Sequence, residues 1–130
     1  MSRLPPSIAE IECLAEQALA RIPPSLAVHM GNVAIAVEEM AEPAELAELG
    51  LQDPWELTGL YRGTPLTHRS HDAPPAPDLI VLYRLPILLE WIEDQVTLES
   101  LVANVVIHEA AHHFGFSDDD IARLEAGGEA

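Results

Sequence analysis

"TLESLVANVVIHEAAHHFGFSDDD", residues 97–120, decides how the chain folds. Leu101, Val105, His108 and His112 fall at i, i+4, i+7 and i+11, a continuous stripe on one face of an α-helix. A helix packed through apolar side chains has no evident need for two histidines on that stripe. Gly115 is well placed to end the helix in a left-handed conformation. "SDDDIARLEAGG" then restarts a short helix. Ser117 and Asp120 form its capping box, and acids in its first turn suit the helix dipole.

Within the stripe, His108-Glu109-x-x-His112 matches H-E-x-x-H. Histidines at i and i+4 sit one above the other, close enough to bind one zinc through two imidazoles. Glu109 is turned about 100 degrees from His108, so it reaches beside the metal rather than onto it. There it can act as general base toward zinc-bound water. A catalytic zinc needs a third protein ligand and an open position. The run continues to H-E-x-x-H-x-x-G-x-x-D, in which Gly115 turns the chain back and Asp118 can supply that third ligand. Glu125, on the later helix, is the rival for that place. The acidic first turn also explains Asp118 without metal, and the two roles are compatible. His113 points away from the two-histidine stripe and reads as a surface or supporting residue rather than a ligand.

Working outward, "DLIVLYRLP" (78–86) is the best strand: Leu79 to Tyr83 is apolar and partly β-branched, and Pro86 closes it. "ILLEWIED" then makes one or two helical turns. "NVAIAVEEM" (32–40) alternates Val33, Ile35 and Val37 with smaller residues and reads as a strand. "EPAELAELGL" is a short helix ended by Gly50. A further strand runs from about Leu57 to Arg62, ended by Gly63 and Pro65. "HDAPPAPD" is an ordered loop or a sheet-edge crossing. Near the start, Ile8, Ile11, Ala15, Ala18 and Ile22 recur at helical spacing between proline pairs, predicting a helix over 7–21 that packs on a sheet. Ser7 caps it, with Glu10 three positions on. Trp55 and Trp91 read as core or partly buried anchors, and His29 has no motif around it. The plan is a compact α+β domain spanning residues 1–130, with a small sheet of three or four strands and the motif helix packed against it.

Composition narrows the partners. With 22 acidic against 6 basic residues, the formal net charge is −16, which repels phosphate backbones and anionic membranes alike. Nucleic acid and membrane partners are therefore not expected. One cysteine, Cys13, excludes an intrachain disulfide and fits a reducing compartment. It reads as a small apolar residue on its helix. No signal peptide and no apolar run near the roughly 20 residues of a membrane span are visible, which places the protein in the cytoplasm.

"VIHEAAHHFGFSDDDI" together with "GLYRGTPLTHRS" resembles the two signature stretches of the small bacterial zincin-like metallopeptidases, a likeness covering nearly the whole chain. The resemblance implies a minimal zincin fold. It implies Zn2+ held by His108, His112 and Asp118, with Glu109 as catalytic base. It also implies that an extended substrate lies along an exposed sheet edge, with Thr64 to Ser70 as a rim of the cleft. His68, His71, Arg69 or Tyr61 could stabilise an oxyanion; each alone also reads plainly as an exposed loop or strand residue. Three functions stay open. The first is a zinc peptidase acting on peptides or unfolded segments, since so short a chain offers only a shallow cleft. The second is a zincin-derived metal-binding or partner-binding module with little hydrolysis. The third is a protein whose zinc is purely structural, closed by a fourth ligand such as His113 or Asp120.

Overall fold

The computed structural model describes residues 4–63 and 77–125, apart from the side chains of Asp118, Leu124 and Glu125. The elements are α1 (Ile8–Ala20), α2 (Pro24–Ala27), β1 (Val33–Glu38), α3 (Pro43–Glu48), β2 (Gly59–Arg62), β3 (Asp78–Tyr83), α4 (Arg84–Asp94), α5 (Leu98–His113) and α6 (Asp118–Glu125), with a 3-10 turn at Pro54–Glu56. This is the expected α+β architecture. "HDAPPAPD" falls almost wholly outside the described residues.

The sheet has three strands in the order β1-β3-β2. β1 runs parallel to β3 with Ile35 opposite Ile80, and β2 runs antiparallel with Tyr61 opposite Ile80. β3 is therefore central, and both of its faces are covered. Ile80 and Leu82 look into the main core beside Ile11, Ala15, Val102 and Val106 of α1 and α5. Val81 and Tyr83 look the other way, against Ala41 and Leu46. That two-sided burial is why the strand reads as an uninterrupted apolar run.

α1 packs across α5 and β1, so the N-terminal helix covers the motif helix as well as the sheet. Ser7 caps it, its hydroxyl accepting from the Glu10 N–H at 3.1 Å. Cys13 is exposed rather than packed. Trp91 lies against the main core, whereas Trp55 is 46% exposed on the 3-10 turn.

Pro86 does not close the strand. It is the third residue of α4, which begins at Arg84 and runs through three turns, longer than the sequence predicts. A proline in a first turn costs no hydrogen bond, because the N–H it lacks would have had no partner within the helix. α2 and the 3-10 turn also went unread, because each is too short to show a periodicity.

β2 forms one edge of the sheet. The Tyr83 N–H donates to the Thr58 carbonyl at 2.9 Å, so Thr58 and Tyr83 form a hydrogen-bonded pair. Antiparallel pairs alternate, so Gly59 and Tyr61 fall at non-bonded pairs and aim their N–H and C=O groups out of the sheet. Among the described residues no strand lies beyond β2.

Candidate metal and catalytic site

α5 starts where Thr97 accepts from the Ser100 N–H at 3.1 Å. Val102 and Val106 are fully buried in its middle, fixing its rotation on the sheet. It ends in a Schellman arrangement. The Phe116 N–H donates to the Ala111 carbonyl at 2.9 Å, the Gly115 N–H to His112 at 3.1 Å, and Gly115 holds φ at +85°. That left-handed turn folds the chain back, and α6 begins three residues later at Asp118. Ser117 and Asp120 cap α6 reciprocally, the Ser117 N–H donating to Asp120 at 3.0 Å and the Asp120 N–H to Ser117 at 3.2 Å. Ile121, 1% exposed, pins α6 to the main core.

His108 and His112 stand one turn apart on α5, their ring centroids 5.9 Å apart and nearly perpendicular. His108 is half-buried and His112 exposed, so the pair opens outward. Between them in sequence, the Glu109 carboxyl is partly buried. Burial pushes its pKa above the ordinary range, against the opposing pull of His112, of His108 and of a hydrogen bond from the Tyr61 backbone N–H. That N–H is one of the groups the ladder aims out of the edge of β2.

Close approach of helix and strand is what allows this contact. Gly59 is buried beneath α5. A Cβ there would lie 2.7 Å from Val105 Cγ1 and 3.3 Å from Glu109 Cγ, so only glycine lets the helix sit this near. Two residues on, the Tyr61 ring stacks on His113, centroids 3.8 Å apart and 16° from parallel. The Tyr61 hydroxyl donates to Asp78 Oδ2 at 2.9 Å. Burial, then this bond and the Asp78 charge, hold that hydroxyl protonated well above the usual phenol range. Tyr61, one of the candidate oxyanion donors, thus has its hydroxyl engaged on Asp78. Phe114 meets Tyr61 edge-on at 5.8 Å, and His29 meets Phe116 in the same manner at 5.7 Å.

The donor chemistry fits zinc: two imidazoles on one helix face, with a carboxylate beside them that is already desolvated. Among the described residues no three His, Cys, Asp or Glu gather around one point. The side chains of Asp118 and Glu125, the two candidates for third ligand, lie outside those described, as do His68, Arg69 and His71. The structure brings together His108, His112 and Glu109, and places His113 and His29 in aromatic contacts around the end of α5. His113, exposed at the end of α5, stacks on Tyr61 of β2, in keeping with a surface or supporting residue. His29 belongs to the aromatic cluster at the end of α5. Both contacts join elements far apart in the chain, and no local pattern in the sequence marks them.

Residues 30–128 match the family model of the zincin-like metallopeptidases. The chain belongs to the zincin-like metallopeptidase family. The family name implies a zinc-binding hydrolase, and the small mixed sheet with its helices is consistent with a minimal zincin fold. No curated protein matches the chain. No described helix is long and apolar enough to cross a membrane.

Proposed function

We propose that the chain is a zinc-dependent peptidase that hydrolyses bonds in peptides or unfolded segments. In this reading His108, His112 and Asp118 hold the metal and Glu109 is the general base. When bound, zinc would supply Lewis-acid polarisation of a peptide carbonyl and acidify water near neutral pH. The chain's own residues do the rest. Glu109 takes a proton from the attacking water and delivers it to the leaving amine, a task suited to a carboxyl whose pKa burial has raised. Toward the Tyr61 end of β2, where the strand is no longer buried beneath α5, the outward Tyr61 carbonyl offers an extended peptide a backbone partner, which favours unfolded segments and asks little of their sequence.

The observation that carries this reading is the place of Glu109. Its carboxyl lies beside both imidazoles, and its Cγ packs against Gly59 of β2, so a peptide that reaches the metal pair along β2 passes the base. The test has two arms. Elemental analysis of untagged protein purified without chelator should give about one zinc per chain, lost in His112→Ala. Cleavage of a mixed peptide pool should be abolished by chelator and fall about 10²- to 10⁴-fold in Glu109→Gln, with zinc retained. Bound zinc without cleavage would replace the peptidase with a metal-binding or partner-binding module. No zinc in either protein, even after it is added, would remove the metal site altogether.

A further inference from the structure

The core fixes the rotation of α4. Ile87 and Leu88 are buried, and Trp91 packs on the main core from the same side. The opposite face of such a helix is ordinarily polar. Here it carries Leu85, Leu89 and Ile92, spaced i, i+4 and i+7, the seam one helix offers to another. Leu89 is 38% exposed and Ile92 70%. Val96, also exposed, joins Glu90 and Asp94 in lining a concavity of about 350 Å³, completed by Ser100, Leu101 and Asn104. Single exposed apolar side chains are ordinary; a row of them at helical spacing is what an interface presents.

The charges beside this row are also uncompensated. Glu90, Glu93 and Asp94 crowd the C-terminal end of α4, where the helix dipole is already negative. Burial, then Asp94, then Glu93 push the Glu90 carboxyl above its ordinary range. The chain has no lysine. Its described arginines are engaged elsewhere: Arg21 with Glu99, Arg62 with Glu45, Arg84 with Glu39 and Arg123 with Asp120. Among the described residues no cation or side-chain hydrogen bond attends these three carboxylates. Unpaired acids stand on α1 too, but on a polar face. On α4 they flank an apolar row.

We propose that this face of α4 docks a basic amphipathic helix of a partner protein. The partner's apolar side chains cover Leu89 and Ile92, and its arginines or lysines meet Glu90, Glu93 and Asp94. One surface then supplies both things the face lacks. A second copy of this chain is a poor occupant, since it brings the same three carboxylates and its own charge of −16 to the contact. The inference does not depend on the peptidase reading. The concavity meets α5 at Ser100, Leu101 and Asn104, and Ser100 stands about 18 Å along the helix from His112. A helix seated on α4 therefore leaves the metal pair uncovered.

The probe is a fluorescent synthetic peptide of about 15 residues, long enough to form a helix, with leucines along one face and arginines beside them. Titrated into the intact chain, it should bind equally with and without chelator. In amide-resolved NMR the largest shifts should fall on α4 and Val96. Ile92→Ser, and Glu90→Gln combined with Glu93→Gln, should each weaken binding about tenfold or more. Ile92 and Glu93 are exposed, so these changes spare the core. Two control peptides separate the causes: one carries glutamate for arginine, the other serine for leucine. Both should bind at least about tenfold more weakly. Equal binding of the serine peptide would reduce the effect to the general field of an acidic chain, and equal binding of the glutamate peptide to apolar adhesion; either overturns the proposal. So does no binding, binding lost with chelator, or shifts that fall away from α4. A chain that sediments as a dimer, and as a monomer in Ile92→Arg, would give this face to a second copy instead and overturn it likewise.

Discussion

Gly59 shows how much one residue can settle. The 2.7 Å that separates its missing Cβ from Val105 Cγ1 is too short for any real contact, and a valine has little rotamer freedom with which to yield. Gly59→Ala must therefore push α5 off β2. Overpacking of this kind costs about 1–3 kcal/mol. We expect a lowered midpoint in urea or thermal unfolding, together with a loss of peptidase activity larger than the stability change explains, because Glu109 Cγ is the next atom struck. An unfolding midpoint equal to wild type would mean the helix has more room than the structure gives it. The sequence made His108, Glu109 and His112 legible because they are close in the chain and their geometry follows from the helix repeat alone. It could not mark the partner of Glu109, since a backbone N–H is carried by nearly every residue. Nor could it mark the stack of His113 on Tyr61, which joins residues distant in the chain and depends on the sheet being built first.

Among the elements, the strands and long helices were readable because burial on one or two faces imposes a period of two or 3.6. The start of α4 was not, because a proline three residues into a helix and a proline just after a strand look the same in sequence. How α3 is tied to the sheet was likewise invisible. Glu45, on α3, accepts from the Tyr83 hydroxyl at 2.9 Å and pairs with Arg62 of β2, so one carboxylate links a helix and two strands. Burial alone would raise its pKa. The Glu42 N–H, the Tyr83 hydroxyl and Arg62 together outweigh that and hold it below the usual value of 4.5. The sign follows from the direction. A carboxyl depressed in the folded state contributes stability above its unfolded pKa and loses it as pH falls through the folded one. Glu45→Gln should thus be less stable than wild type at neutral pH, and the gap should narrow as both are acidified below about pH 4.5. A gap that stays constant with pH, measured by urea unfolding at several pH values, would show that the charge on Glu45 contributes nothing.

At the scale of the whole molecule, the architecture separates two jobs. Among the described residues no charged side chain is fully buried, and the chemistry-bearing groups collect where α5 runs out of core. The C-terminal end of a helix carries partial negative charge, which favours cations there. The rest of the chain adds to that field, with a net charge of −16. A surface of one sign steers charged partners during approach, and salt removes the effect once the screening length falls below the separation, about 10 Å at 0.1 M. If peptides are the substrates, the field should sort them by charge before any side-chain pocket does. One scissile segment flanked by lysines should therefore be cleaved with kcat/KM about tenfold above the same segment flanked by glutamates at low ionic strength. The advantage should arise mainly on the lysine side and shrink toward parity at about 0.5 M salt, where screening acts over a few ångströms. Equal rates at low salt would mean the field at the edge of β2 is locally neutral, with the acidic surface serving solubility alone. A preference that survives high salt would point instead to direct carboxylate contacts with the lysines, and so to a built subsite rather than a long-range field.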